Sequence, residues 1–154
     1  MMATFALILS YVESKIPALV AIPGVKVGLA NIAVIFTLYK LGVKQAITVS
    51  IIRVLLIAML FGSAVSLIYS ISGAVLSLLT MILLKKLTPL SEVAVSVTGG
   101  IMHNVGQIAA ASFMLSTNVV VYYLPFLLVS GTIAGIVVGI ASAILIKRVK
   151  FKHP

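Results

Sequence analysis

Residues 43–61 read VKQAITVSIIRVLLIAMLF, a run that is almost entirely apolar and carries one arginine, Arg53, near its middle. A membrane-spanning helix needs about 20 consecutive, mostly apolar residues. Residues 51–60 do not alternate between polar and apolar side chains, as the strand of a membrane barrel would. The stretch therefore predicts a transmembrane helix that ends at Gly62.

The rest of the chain has the same character. Of its 154 residues, 62% are hydrophobic and only 8% are charged, whereas about 25% of the residues in a soluble domain are charged. This composition excludes a water-soluble monomer, and it also excludes a disordered chain, which needs low hydrophobicity. The fold class predicted is all-α, a polytopic membrane protein with one domain over residues 1–154. Its six transmembrane helices are predicted at about 1–16, 27–41, 43–61, 64–84, 91–115 and 119–146.

The basic residues predict the topology. If both termini lie on one side, that side carries eight cations and the other side two, Lys15 and Lys26; the eight are Lys40, Lys44, Lys85, Lys86, Lys147, Arg148, Lys150 and Lys152. Because cytoplasmic loops are enriched in Lys and Arg, we expect a multi-pass plasma-membrane protein with both termini in the cytoplasm. Most cations flank apolar runs, where they reach lipid phosphates, so we expect no nucleic-acid partner.

The sequence lacks the residues that most catalytic and metal sites need. It has no cysteine, two acidic residues and two histidines, so it can build neither an aspartate-rich magnesium cluster nor a zinc site made only of protein ligands. We expect no catalytic residue, metal or cofactor, and we do not expect an enzyme. Because the first apolar run is short and begins at Met1 without a basic leader, we expect part of an N-terminal segment to precede it.

Arg53 is the most informative residue inside the membrane, because an ionisable group at mid-depth is costly and usually functional. One interpretation is structural, in which Arg53 binds backbone carbonyls and Glu13. The other is that the guanidinium binds an anionic ligand.

The fifth predicted helix carries a second polar group. His103 and Gln107 are four residues apart and share a face, while Asn104 is offset by one position. These side chains either form hydrogen bonds between helices or line a polar pocket.

Further polar residues gather towards the outer side, namely Glu13, Lys15, Lys26 and Asn31. We therefore expect a pocket formed by the second, third and fifth helices and approached from outside, with residues 17–24 as its lid. For Lys15 and Lys26, anchoring at lipid headgroups is the alternative. Glycines at 131, 135 and 139 predict close helix packing, either within the chain or with a partner.

Three segments resemble the Gx transporter family, which is also labelled heptaprenyl diphosphate synthase component I: residues 22–31 (IPGVKVGLAN), residues 52–56 (IRVLL) with residues 60–63 (LFGS) after them, and residues 102–107 (MHNVGQ). The resemblance covers essentially the whole chain. That family is similar to the S components of energy-coupling factor (ECF) transporters, six-helix proteins that capture a vitamin-like molecule and pass it to a transmembrane coupling protein and ATPases. S components dock through small residues spaced by four in the first helix, where this chain has Ala6 and Ser10.

The resemblance implies a membrane substrate-binding subunit for a small, partly apolar, anionic vitamin-like or quinone-precursor molecule. Arg53 would bind the anion, and the other ligand-binding candidates are His103, Asn104, Gln107, Asn31, Glu13 and Lys26. The alternative that it implies is a non-catalytic accessory subunit for prenyl-diphosphate or quinone synthesis, or for flavin-linked extracellular electron transfer with a redox partner.

Overall fold

A computed structural model describes residues 2–15, 28–61, 64–117 and 119–149 of the chain. The described residues form α-helices and no strand, which confirms the predicted all-α class. There are six of these helices: α1 (Met2–Lys15), α2 (Ala30–Lys40), α3 (Val43–Phe61), α4 (Ala64–Leu87), α5 (Glu92–Leu115) and α6 (Leu124–Arg148). A short 3-10 helix, Val119–Tyr123, directly precedes α6.

Three of the described helical segments are long and apolar enough to cross a membrane: Val43–Leu60, Leu67–Leu87 and Val119–Arg148. Helix α5 has 24 residues, but its polar side chains lower its hydropathy. Helices α1 and α2 are shorter, at 14 and 11 residues. The six described helices of this membrane protein therefore differ in length.

Local sequence explains where two of the helices end or begin. At the end of α2, the N–H groups of Leu41 and Gly42 both donate to the carbonyl oxygen of Thr37, at 2.9 Å. Gly42 has a φ of +109°, a conformation that residues with a side chain rarely adopt. At the start of α5, the Ser91 hydroxyl accepts a hydrogen bond from the Ala94 N–H at 3.3 Å, as a helix N-cap does.

Glycines allow α5 to pack closely against α4 and α6. A Cβ atom built on Gly135 of α6 would lie 2.5 Å from the Cα of Val97, and one on Gly106 of α5 would lie 2.6 Å from the carbonyl oxygen of Ser72. Gly131 and Gly139 face α5 in the same way. The glycine stripe of α6 therefore packs inside this chain, which is the first of the two interpretations of that stripe.

Helix α2 packs against α1, α3 and α6. Its residues from Ile32 to Leu38 are all buried. Helix α1 covers α2 and α3 with Ala6 and Ser10, which are 0% and 9% exposed, while Ile8 and Tyr11 face outwards. The small residues of α1 therefore pack against other helices of the same chain.

One end of the bundle, here called the basic end, is where α1 and α3 begin and α2 and α4 end. Lys85 of α4 donates a hydrogen bond to the carbonyl oxygen of Leu38 there. At 1.5 Å per residue, the 11 residues of α2 span about 16 Å. The start of α2 contacts α6 near Val138, since a Cβ on Gly28 would lie 4.0 Å from the Val138 Cγ2. Val138 is ten residues from the end of α6, or about 15 Å, so α2 begins at mid-depth.

Candidate functional site

The end of α1 is connected to the start of α2 by a carboxylate. The Gly28 N–H donates a hydrogen bond to Oε1 of Glu13, with an N–O distance of 2.5 Å. Gly28 precedes α2 and has a φ of +76°, which favours glycine at this position. A carboxylate near a helix N-terminus is also stabilised by the helix dipole. This contact therefore places Glu13 at mid-depth.

Arg53 lies on the side of α3 that faces the bundle interior. Ala46 and Val49, which precede it by two turns and one turn on the same face, are buried. The Arg53 Nε is buried and has no hydrogen-bond partner in the described part of the chain. Glu13 lies within electrostatic range of the guanidinium. Because Arg53 is ten residues beyond Val43, it lies about 15 Å from the basic end, at the depth of Glu13.

Asn31 joins this group from α2. Its N–H donates to the carbonyl oxygen of Gly28 at 2.8 Å. Its side-chain Nδ2 lies beside Gly28, 3.3 Å from where a Cβ on that glycine would be. We call Glu13, Gly28, Asn31 and Arg53 the mid-depth polar group. Lys26 and the predicted lid, residues 17–24, lie outside the described residues.

The polar residues of α5 lie at a similar depth but in other helix interfaces. Asn104 is buried, and its Nδ2 donates to the carbonyl oxygen of Leu127 on α6 at 2.5 Å. His103 and Gln107 face α4, where a Cβ on Gly73 would lie 2.9 Å from the His103 Cε1 and 3.0 Å from the Gln107 Cγ. The main neighbours of α5 are α4 and α6. The structure therefore does not bring α5 into substantial contact with α2 and α3, the other two walls of the predicted pocket.

Two contacts that the sequence analysis did not anticipate lie at helix ends. One is the hydrogen bond from the Gly28 N–H to Glu13. The sequence feature that could have indicated it is a glycine just before an apolar run. The other is at the basic end, where the Lys85 Nζ lies 4.9 Å from the centre of the Tyr39 ring. The Tyr39 hydroxyl is buried and has no hydrogen-bond partner among the residues described here.

Two of the cavities among the described residues are large enough to hold part of a small molecule. The first, of about 300 Å³, is a lateral groove between α3 and α4 lined by apolar side chains and Ser50. The second, of about 520 Å³, lies at the basic end between α1, α2 and α3, and we call it the basic-end cavity. It is lined by Met2, Ala3, Thr37, Leu41, Lys44, Gln45, Thr48, Val49 and Ile52.

The described ranges contain no cluster of three or more His, Asp or Glu side chains that could hold a metal ion. An arginine at mid-depth, surrounded by apolar helices, can orient an anion and exclude water from it.

Comparison with known proteins identifies a family. The sequence profile of the family described as heptaprenyl diphosphate synthase component I matches residues 2–145. The match begins with α1 and ends within the last turn of α6, so it includes the mid-depth polar group and the polar residues of α5. No curated protein and no solved structure matches the chain.

Proposed function

The chain belongs to the heptaprenyl diphosphate synthase component I family, and from that premise we propose that it is a non-catalytic membrane subunit that binds a small, partly apolar anion. The family description names a component of a synthase. Helices of membrane-spanning length support a subunit held in the bilayer. The ligand would be a vitamin-like or quinone-precursor molecule with a carboxylate or phosphate group.

The observation that carries the proposal is the environment of Arg53. A guanidinium has five N–H donors in a planar fork that suits a carboxylate or phosphate. The chain has two acidic residues, and one oxygen of the nearer, Glu13, already accepts from Gly28. The Arg53 Nε is buried and has no hydrogen-bond partner within the described ranges. An anionic ligand would supply the acceptor that the Arg53 Nε lacks.

The surroundings of Arg53 support a ligand that is partly apolar. Helix α2 begins at mid-depth, next to Gly28. Among the described residues, the half of the bundle farther from the basic end is therefore built from α3, α4, α5 and α6. The ligand would enter from that side, with its anionic group on Arg53 and a hydrogen bond from Asn31. Lys26 would attract the anion. His103 and Gln107 face α4, so they would hydrogen-bond the ligand only if it extends to the interface between α4 and α5. Asn104 would contribute mainly by holding α5 against α6.

The proposal extends to a partner. A substrate-binding subunit of this kind would pass its ligand to an ECF-type coupling protein and ATPases. The buried Ala6 and Ser10 face of α1 would not make that contact, so the coupling protein would have to dock elsewhere on the bundle. The second candidate is an accessory subunit that supports a prenyl-diphosphate synthase or a quinone-linked redox partner, and the family description favours it.

Binding by the purified chain tests the first candidate. We expect native mass spectrometry in mild detergent to show a retained small molecule, and Arg53→Gln to lose it. A charge-assisted hydrogen bond contributes about 1.5–3 kcal/mol, so the dissociation constant should rise about ten- to hundredfold. Arg148→Gln, at an exposed position near the end of α6, is the matched control. A folded Arg53→Gln protein with unchanged affinity would contradict the assignment.

Co-purification tests the second candidate. If the chain is an accessory subunit, a synthase or redox protein should co-purify with it, and removing the chain should lower that partner's activity. Arg53→Gln should leave this association intact, because Arg53 faces the bundle interior. Saturable ligand binding by the isolated chain, with no such partner, would exclude the second candidate.

A further inference from the structure

The basic-end cavity and the mid-depth polar group lie in the same interface between α1, α2 and α3. The cavity extends from the first residues of α1 to Val49 and Ile52 of α3. Ile52 immediately precedes Arg53, and Val49 lies one turn before it on the same face. The interface therefore contains an open volume on the side of Arg53 that faces the basic end.

The lining of this cavity is amphipathic. Its polar side chains are concentrated at the start of α3, where Lys44, Gln45 and Thr48 border it. The Thr48 hydroxyl donates to the carbonyl oxygen of Lys44 at 3.0 Å, so the ammonium group of Lys44 and the amide of Gln45 remain as donors. The rest of the lining is largely apolar and consists of Met2, Ala3, Leu41, Val49 and Ile52, together with Thr37.

The charge around the cavity favours an anion. None of its lining residues is acidic, and Lys40 at the end of α2 adds a second lysine nearby. Neither acidic residue of the chain lines the cavity: Glu13 is at mid-depth, and Glu92 begins α5 within electrostatic range of Tyr39. Lysine is a common phosphate-binding residue because its ammonium group acts as a point charge. The volume, about 520 Å³, is in the usual range for small-molecule sites.

We propose that the basic-end cavity binds a phosphate-headed amphipath, with its headgroup on Lys44 and Gln45 and its apolar chain against Val49 and Ile52. The occupant could come from the adjacent membrane leaflet, as a phospholipid, or from solution, as an apolar phosphate ester. Both carry a phosphate group and an apolar chain, which are the two features that the cavity would bind. The site goes beyond the proposed function and does not depend on Arg53.

Fluorescence in a neutral detergent tests the site directly. The chain has no tryptophan, so Leu41→Trp introduces a single reporter into the cavity wall. We expect dodecyl phosphate to change its emission saturably, and inorganic phosphate or dodecyl maltoside at matched concentration to have little effect. Thermal unfolding of the tryptophan-free chain with the same probe gives an independent measurement. Saturation by dodecyl maltoside at the same concentration would overturn the proposal.

Two variants separate the headgroup from the chain. Lys44→Gln should weaken dodecyl phosphate binding by up to about fivefold, as for an exposed charge pair. Lys86→Gln, which removes an exposed lysine at the same end of the bundle, should leave the affinity unchanged. Ala3→Leu should weaken binding by filling the cavity while Lys44 is retained. Equal effects of Lys44→Gln and Lys86→Gln would overturn the proposal.

Native mass spectrometry distinguishes the two sources. A phospholipid retained by the unmodified chain and lost from Lys44→Gln would identify the occupant as a membrane lipid. A chain free of phospholipid that binds dodecyl phosphate saturably would identify a soluble phosphate ester. Loss of dodecyl phosphate binding in Arg53→Gln but not in Lys44→Gln would overturn the assignment and leave the Arg53 site intact.

Discussion

The ammonium group of Lys85 donates a hydrogen bond to the backbone carbonyl oxygen of Leu38, with an N–O distance of 2.5 Å. The last carbonyl groups of a helix lack partners within it, and Leu38 is in the last turn of α2. Lys85 thus provides a donor from α4, and its charge also complements the C-terminal dipole of α2. Since the same Nζ lies over the Tyr39 ring, one side chain connects the N-terminal three helices with the C-terminal three.

Replacing this lysine should loosen that connection. We expect Lys85→Met to lower the free energy of unfolding by about 2–4 kcal/mol, the sum of one charge-assisted hydrogen bond and one cation–π contact. Thermal unfolding in detergent measures the effect. Lys86→Met is the control, because Lys86 is exposed at the neighbouring position. Equal melting temperatures for the two variants would show that the Lys85 contact contributes nothing.

Asn104 should act mainly on stability. Its hydrogen bond to Leu127 crosses from α5 to α6, and such bonds within membranes contribute about 0.6–1.7 kcal/mol. We expect Asn104→Ala to lower the melting temperature without weakening ligand binding. Thr98→Val is the control, since the Thr98 hydroxyl bonds within its own helix to Ala94. A stable Asn104→Ala protein that no longer binds ligand would instead assign Asn104 to the ligand site.

Gly135→Leu should strongly destabilise the bundle. Even a Cβ at this position would lie 2.5 Å from the Cα of Val97 and 3.1 Å from the Ser96 carbonyl oxygen, so α5 and α6 would have to separate. Overpacking of this kind costs about 1–3 kcal/mol or more. The matched control is Val137→Leu, which enlarges an exposed side chain on the same helix. Unchanged melting of Gly135→Leu would refute the close packing of the two helices.

A double-mutant cycle separates the two roles considered for Arg53. If Arg53 serves the ligand, Arg53→Gln should cost about 1 kcal/mol of stability or less, because Glu13 keeps its hydrogen bond from Gly28. Ligand affinity should nevertheless fall about ten- to hundredfold. Adding Glu13→Gln should not restore affinity. Recovery of lost stability in the double variant, with affinity unchanged throughout, would make Arg53 a structural partner of Glu13.

The orientation in the membrane can be tested by labelling, because the chain has no cysteine of its own. With both termini in the cytoplasm, Thr117→Cys should react with an impermeant maleimide in intact cells. Lys86→Cys, at the basic end, should react after the cells are broken open. The opposite pattern would reverse the predicted topology and the side from which the ligand enters.

Helix positions follow closely from local sequence. The run bounded by Gly42 and Gly62 predicts a helix over 43–61, and α3 is Val43–Phe61. The last helix differs more, because residues 119–123 form a 3-10 helix and α6 begins at Leu124. Pro125, in the first turn of α6, is a signal for that later start.

Which helices touch is harder to predict than where they lie. In a membrane protein the lipid-facing and buried surfaces are both apolar, so hydrophobic periodicity does not reveal neighbours. The predicted pocket placed α5 beside α2 and α3, whereas α5 packs between α4 and α6. The glycines of α5 could have indicated these neighbours, because Gly106 packs against α4 and Gly100 packs against α6. The proximity of Arg53 and Glu13 could be predicted, because ionisable residues are rare in these apolar segments and an arginine there needs a polar partner.

The short length of α2 has a consequence for how the protein enters the membrane. An apolar helix of 11 residues covers about half of the roughly 30 Å hydrocarbon core, so during synthesis α2 gains little by partitioning into lipid alone. Its buried residues need α3 and α6 as neighbours, and α6 is made after the other five described helices. Stable insertion of α2 should therefore wait until α6 has been made, and ribosome-bound chains ending near Leu115 should leave α2 accessible to protease.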